Sequence, residues 1–143
     1  MIVLDTNVVS EMMRPAPDSN VLNWLNAQVA GELWLNSVVV SELLFGIVRL
    51  PSGARKRQLA DTFAAMLSED FAGRILPFDL EAAVIYAELA AGGEAKGRPV
   101  EMADAQIAAI CLAQGAKLAT RNLKHFEGLG LVLVNPWDVA LGH

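Results

Sequence analysis

Met1-Ile2-Val3-Leu4-Asp5-Thr6-Asn7 opens the chain with four apolar residues that stop abruptly on an acid, a hydroxyl and an amide. An apolar run without alternation fits a strand buried on both faces, and Asp-Thr-Asn supplies the side-chain acceptors that start helices. Val8, Val9, Met12 and Met13 then recur at helical spacing until Pro15 and Pro17 stop the helix. The same grammar returns downstream. Leu33-Trp34-Leu35 leads into the caps Asn36-Ser37 and a helical stretch from Val38 to Leu50, which Pro51 ends; Arg74-Ile75-Leu76-Pro77-Phe78 leads into Asp79 and an alanine-rich helix to about Ala91. Lys117-Leu118-Ala119-Thr120 and Leu131-Val132-Leu133-Val134 read as fourth and fifth strands.

Between these units the pattern predicts a helix over 21–29 capped by Asp18 or Ser19 and closed by Gly31, and an amphipathic segment from Ser52-Gly53 to about Phe71. It also predicts a loop at Gly92-Gly93 and Gly97-Arg98-Pro99, and a helix from Met102 to Gln114 ended by Gly115. Short strands separated by helices predict an α/β fold: a central, mostly parallel sheet of about five short strands flanked by helices, three layers in all. Sites in such sheets lie beyond the carboxyl ends of the strands.

A chain of 143 residues predicts a single domain, 1–143, large enough to fold without disulfide staples. With 54% hydrophobic and 19% charged residues it is no disordered chain, yet Ser41, Glu42, Asp104, Gln106 and Gln114 break every apolar run well short of a membrane span. Cys111 is the only cysteine, which excludes an internal disulfide and a thiolate zinc site; a cytoplasmic protein is expected. Asp5 and Glu11 interrupt what would be a signal peptide. The net charge of −5 argues against a broad footprint on duplex nucleic acid, while leaving room for a local basic patch or a metal-bridged contact.

Three acids fall where chemistry is expected. Asp5 closes the first strand, a position that also suits a structural cap. Glu42 has Val38, Val39, Phe45 and Gly46 at helical spacing and no basic partner within a turn, so it is expected on a buried apolar face, where it must neutralise, pair or bind a cation. Asp104 has Val100, Glu101, Ile107 and Ala108 as helical neighbours and is expected on an inward face near a helix start, where an acid also complements the macrodipole. Three like charges brought together by strand ends call for a divalent cation. All-oxygen ligands suit Mg²⁺ or Mn²⁺, and such sites act on phosphates by activating water and neutralising developing charge.

Met1 to Asn7, Ser41-Glu42-Leu43 with Gly46, Ala103-Asp104-Ala105-Gln106-Ile107-Ala108, Ala119-Thr120-Arg121-Asn122 with Phe126, and Asn135-Pro136-Trp137 together resemble the PIN domain of VapC-type toxins, most closely the FitB-like branch. The resemblance spans essentially the whole chain with the motifs in order. It implies a Mg²⁺-dependent endoribonuclease, the toxin of a type II toxin–antitoxin pair. Such toxins are commonly homodimeric and are held inactive by a small antitoxin that itself binds operator DNA. Residue by residue, it implies that Asp5, Glu42 and Asp104 are the principal acids, with Asp5 and Asp104 as direct metal ligands and Glu42 completing the cage or holding a water. The family often carries a fourth acid after the fourth strand; here Asn122 and His125 occupy those places. One firmly held metal is therefore expected, with a second recruited only by substrate phosphate.

Thr6, Asn7 and Thr120 are expected to support the ligands, with capping an equal reading for Thr6. Arg121 is expected at the scissile phosphate, and Arg49 with Arg55-Lys56-Arg57 along the RNA backbone, although a solvated helix face explains that run too. Trp24, Trp34 and Trp137 read as core or partner-binding residues, and Phe45, Phe63 and Leu67 as an antitoxin groove. An antitoxin Arg or Lys is expected to enter the acidic cluster. Two further readings stand beside the ribonuclease: a PIN-fold module, impaired by the missing acid, that binds antitoxin or RNA without cutting, and a phosphatase with Asp5 as nucleophile, which Asn7 disfavours because such enzymes carry a second Asp there.

Overall fold

The computed structural model describes residues 1–138; residues 139–143, the end of the expected domain, lie outside them. The first strand, β1 (Ile2–Leu4), is followed by α1 (Thr6–Met12) and α2 (Ser19–Ala27), and β2 (Leu33–Asn36) by α3 (Ser37–Val48) and α4 (Ala54–Ala65). Then come β3 (Ile75–Leu76), α5 (Leu80–Ala95), α6 (Met102–Gln114), β4 (Lys117–Ala119), α7 (Leu123–Phe126) and β5 (Leu133–Val134). All strands are parallel in the order β3-β2-β1-β4-β5, with Ile2 opposite Leu33 on one side and Lys117 on the other. This is the α/β sheet read from the sequence, parallel throughout.

The strand order explains where a site can form. From β1 the chain winds outward through β2 and β3, then crosses back over α5 and α6 to lay β4 on the other flank of β1. The carboxyl ends of β1 and β4 therefore diverge at a switch point, and the crevice there is the natural site of such sheets. Asp5 and Thr120 are the residues that leave it.

The core is built from Val3, Leu4, Leu35 and Leu118 on the strands, all 0% exposed, with Val8 and Val9 of α1, Phe63 of α4 and Phe126 of α7 packed against them. α6 is the central helix: Ala105, Ile107, Ala108, Ala109, Ile110 and Cys111 are all buried, leaving almost no solvent face. Its alanines let it lie close along α5. Burial without a partner pushes the Cys111 thiol up to about 12, so it behaves as a small apolar side chain.

Several boundaries differ from the sequence expectation, each for a reason. α2 ends at Ala27, and Gly31 sits in a separate tight turn (Ala30–Glu32) leading into β2. The amphipathic segment ends in one widened turn over Met66–Asp70, which carries Met66 into the core. α5 runs straight through Gly92-Gly93 to Ala95, because the following loop folds back on it: the Arg98 N–H donates to the Gly93 carbonyl at 2.8 Å. Of the expected third and fifth strands, 74–78 and 131–134, only two residues each keep sheet pairing. The short α7 was not anticipated, since four residues offer no period to read.

Candidate active site

Asp5 caps α1: its Oδ1 accepts from the Thr6 N–H at 2.8 Å, and its Oδ2 accepts from the buried Thr120 hydroxyl at 2.7 Å. Thr120 in turn accepts from Asn7 Nδ2 at 3.4 Å and from the Asn122 N–H at 3.0 Å, while Asn7 Oδ1 accepts from the Arg121 N–H at 3.3 Å. One threonine thus ties the end of β4 to the start of α1. Asp5 is 5% exposed, and burial raises its pKa above the ordinary carboxylate range; the two hydrogen bonds oppose that rise and the neighbouring charge of Glu42 adds to it.

Glu42 is held by the same turn from the other side, its Oε1 accepting from Thr6 Oγ1 at 2.7 Å. It is exposed rather than buried. The buried face of α3 is Val38, Val39, Leu43 and Ile47, whereas Phe45 and Val48 are 64% and 66% exposed. Of the apolar neighbours read beside Glu42, Val38 and Val39 turn into the core while Phe45 stays exposed, so Glu42 stands at the edge of the buried face and not on it.

Asp5 and Glu42 line a cleft of about 450 Å³ together with Thr6, Asn7, Glu11, Arg14, Arg121, Asn122 and Trp137. Asp104, in the first turn of α6, opens instead into a second cleft of about 540 Å³, beside His125, Lys124, Lys96 and Arg98. Its Oδ2 lies 3.3 Å from His125 Nδ1. Burial raises its pKa, His125 opposes the rise, and the charges of Asp5, Glu101 and Glu42 add to it, so Asp104 still feels the other two acids. Among the described residues no three His, Cys, Asp or Glu side chains converge on one point as a metal cage would. Each acid is turned to its own partner: Asp5 to Thr120, Glu42 to Thr6, Asp104 to His125.

The donor set, carboxylates with hydroxyl and amide support and a single imidazole, suits a hard divalent cation such as Mg²⁺ or Mn²⁺. The mutual repulsion of Asp5, Glu42 and Asp104 is one that a cation between them would offset.

The structure separates the remaining expected residues. Thr6, Asn7, Thr120, Arg121 and Asn122 belong to the Asp5 network or its cleft, and His125 to Asp104. Arg49 instead lies over Phe45 at 5.3 Å, and Lys56 Nζ donates to the Val48 carbonyl at 2.7 Å, so Lys56 secures the α3–α4 turn, and none of Arg49, Arg55, Lys56 and Arg57 lines either cleft. Phe63 is fully buried and cannot line a groove, Leu67 is half-buried, and Trp24 and Trp34 pack on the core. Sequence reasoning missed Glu11, 7% exposed, which accepts from Arg14 at 3.3 Å and from the Asp18 N–H at 2.9 Å. The available signal was its place one turn after Asn7 and Val8 on α1. Trp137, expected as a core or partner-binding residue, packs against the core and also lines the Asp5 cleft.

Residues 2–129 match the PIN domain family. The chain is 42% identical over 140 residues to the VapC ribonuclease Y4jK of Sinorhizobium fredii, covering 98% of this chain and 100% of that one. It is 36% identical to toxin FitB of Neisseria gonorrhoeae over 137 residues, 96% and 99% of the two chains. The crystal structure of FitAcB from the same organism superposes with a TM-score of 0.90 at 36% identity, over 97% of this chain and 100% of that one.

Proposed function

This chain belongs to the PIN domain family, and from that premise we propose that it is a Mg²⁺-dependent endoribonuclease acting as the toxin of a toxin–antitoxin pair. The observation that carries the reading is the buried, hydrogen-bonded carboxylate of Asp5 at the switch point, electrostatically coupled to Glu42 and Asp104. Asp5 and Asp104 would hold the cation, with Glu42 contributing from the rim. When bound, it supplies Lewis-acid polarisation of the phosphodiester and of an attacking water.

The protein's own groups set the stage for that chemistry. Thr120 and the Thr6 N–H fix both oxygens of Asp5 at the wall of the cleft. The Thr6 hydroxyl holds Glu42 at the mouth, where the carboxylate would orient a water by accepting a hydrogen bond from it. Arg121 lines the same cleft and offers planar donors to a phosphate. The exposed Phe45 and Val48 beside Glu42 suit a covering antitoxin segment, whose Arg or Lys would neutralise the acids; a homodimer and Mn²⁺ as an alternative ion belong to the same proposal. No helix of the described residues is long and apolar enough to cross a membrane.

The separation of Asp104, paired with His125 in its own cleft, favours a second reading: a module that binds RNA or antitoxin without cutting. Cleavage of a labelled RNA pool by the purified chain with Mg²⁺, Mn²⁺ or chelator, beside Asp5→Asn and Asp104→Asn, decides between them. Metal-dependent cutting lost in both variants supports the nuclease. Folded protein that never cuts leaves the binding module.

A further inference from the structure

Arg121 stands in a cleft lined by three acids, Asp5, Glu11 and Glu42, yet among the described residues it forms an ion pair with none of them. An exposed guanidinium beside unneutralised carboxylates would ordinarily fold onto them in a bidentate pair. Instead its Cζ lies 5.0 Å over the ring of Trp137. Glu11 is already engaged by Arg14 and the Asp18 N–H, but among the described residues Glu42 receives only the Thr6 hydroxyl, so acceptors remain available.

Trp137 is fixed for this purpose. Its main-chain N–H donates to Asn135 Oδ1 at 3.0 Å and its main-chain carbonyl accepts from Asn20 Nδ2 of α2 at 3.2 Å, so the backbone that carries the ring is held from two sides. The backbone of Arg121 is fixed separately by Asn7. A guanidinium held over an aromatic face is attracted there without using its N–H donors, which stay free for other acceptors.

We propose that Trp137 is a positioning residue that holds the Arg121 guanidinium away from the carboxylates, keeping the acids open for a cation and the arginine donors open for an RNA phosphate. This deepens, and rests on, the nuclease reading. Released from the ring, Arg121 would neutralise Glu42 or Asp5 and compete with the metal.

The test is Mn²⁺ affinity of the whole chain by titration calorimetry, with RNA kinetics alongside. Trp137→Leu is expected to weaken Mn²⁺ binding about tenfold, Trp137→Phe to restore most of it, and the double variant Trp137→Leu/Arg121→Ala to recover wild-type affinity. Recovery on deleting a second residue is something a merely structural tryptophan would not give. Arg121→Lys keeps the charge, loses the planar stack and leaves Trp137 in place; it is expected to weaken Mn²⁺ binding, while neutral Arg121→Met does not and raises KM for RNA more than it lowers kcat. A crystal structure of metal-free Trp137→Leu is expected to put Arg121 within ion-pair distance of Glu42 or Asp5, a readout that holds whether or not the chain cuts RNA. Unchanged Mn²⁺ affinity in both Trp137→Leu and Arg121→Lys, a loss that persists in the double variant, or Arg121 still clear of the acids in that crystal overturns the proposal. Wild-type chain that neither binds Mn²⁺ nor cuts RNA sinks the nuclease reading instead, leaving the crystal to decide the role of Trp137.

Discussion

The two halves of the acidic site are built differently. Asp5 leaves a central strand, is 5% exposed, and has both oxygens engaged by groups that are themselves hydrogen-bonded. Asp104 sits in the first turn of a helix, its side chain 17% exposed, and its one ion-pair partner among the described residues is His125, whose own side chain is 53% exposed. The sheet dictates the first geometry; a helix start and the loop before it dictate the second. Preorganisation therefore belongs to the Asp5 half, and the shared cation site proposed above would require the Asp104 half to move.

The largest expected effect is at Asp5. Asp5→Asn should lower kcat by about 1000-fold or more while the chain stays folded. It should also stabilise the metal-free protein. Burial raises the pKa of Asp5 and, with its acidic neighbours, that of Asp104, so the folded state holds more protons than the unfolded one between the ordinary carboxyl range and those raised values. Stability of the chelated wild type should accordingly fall as pH rises through that window, and Asp5→Asn should flatten the fall. Above the window the variant should be the more stable of the two, and below it the difference should vanish. Thermal melts from pH 4 to 8 check this. An equal gain from Asp104→Asn would break the contrast between the halves.

Supporting groups come next. Thr120→Val removes a buried hydroxyl that donates to Asp5 and accepts from Asn7 and Asn122, and should cost about 2 kcal/mol with a 10- to 100-fold loss of activity. His125→Ala should change stability by less than about 0.5 kcal/mol, its partner contact being largely solvated. Its effect on cleavage should stay several times smaller than that of Thr120→Val. Urea melts and single-turnover kinetics on the pair would sharpen the comparison, and a reversed order would refute it.

What the sequence revealed follows the range of the interactions. Asp5, Asn36 and Asp79 are legible as caps because each bonds to backbone within three residues. The parallel sheet is legible because its strands are apolar runs flanked by caps. Glu42 was misread because apolar spacing reports a helix face without saying whether this chain covers it. The Asp104–His125 contact, the Thr120 bridge to Asp5 and the grip of Asn20 on Trp137 join residues distant in sequence, and no local pattern encodes them. Gly92-Gly93 looked like a loop by propensity, but alanines on both sides and the returning strand of loop keep it helical.

That returning loop supplies the finest test, because it leads into the turn that carries Asp104. A Cβ on Gly93 would lie 2.7 Å from the Arg98 carbonyl oxygen and 3.4 Å from Val100 Cγ2, while one on Gly92 would meet nothing within 4 Å. A backbone carbonyl cannot rotate aside as a side chain does, so Gly93→Ala must push the loop away from α5. It should destabilise by about 1–2 kcal/mol despite the better helix propensity of alanine, whereas Gly92→Ala should stabilise by about 0.5–1 kcal/mol. Both residues lie in the same helix and differ only in what approaches them, so propensity cancels in the comparison. If the start of α6 depends on this loop, Gly93→Ala should also lower cleavage severalfold and leave the Asp5 network, read by the protection of the Thr6 and Asn122 amides from hydrogen exchange, unchanged. Loss of protection there would mean that the two halves move together, and the division between a sheet-built and a helix-built half would have to be given up.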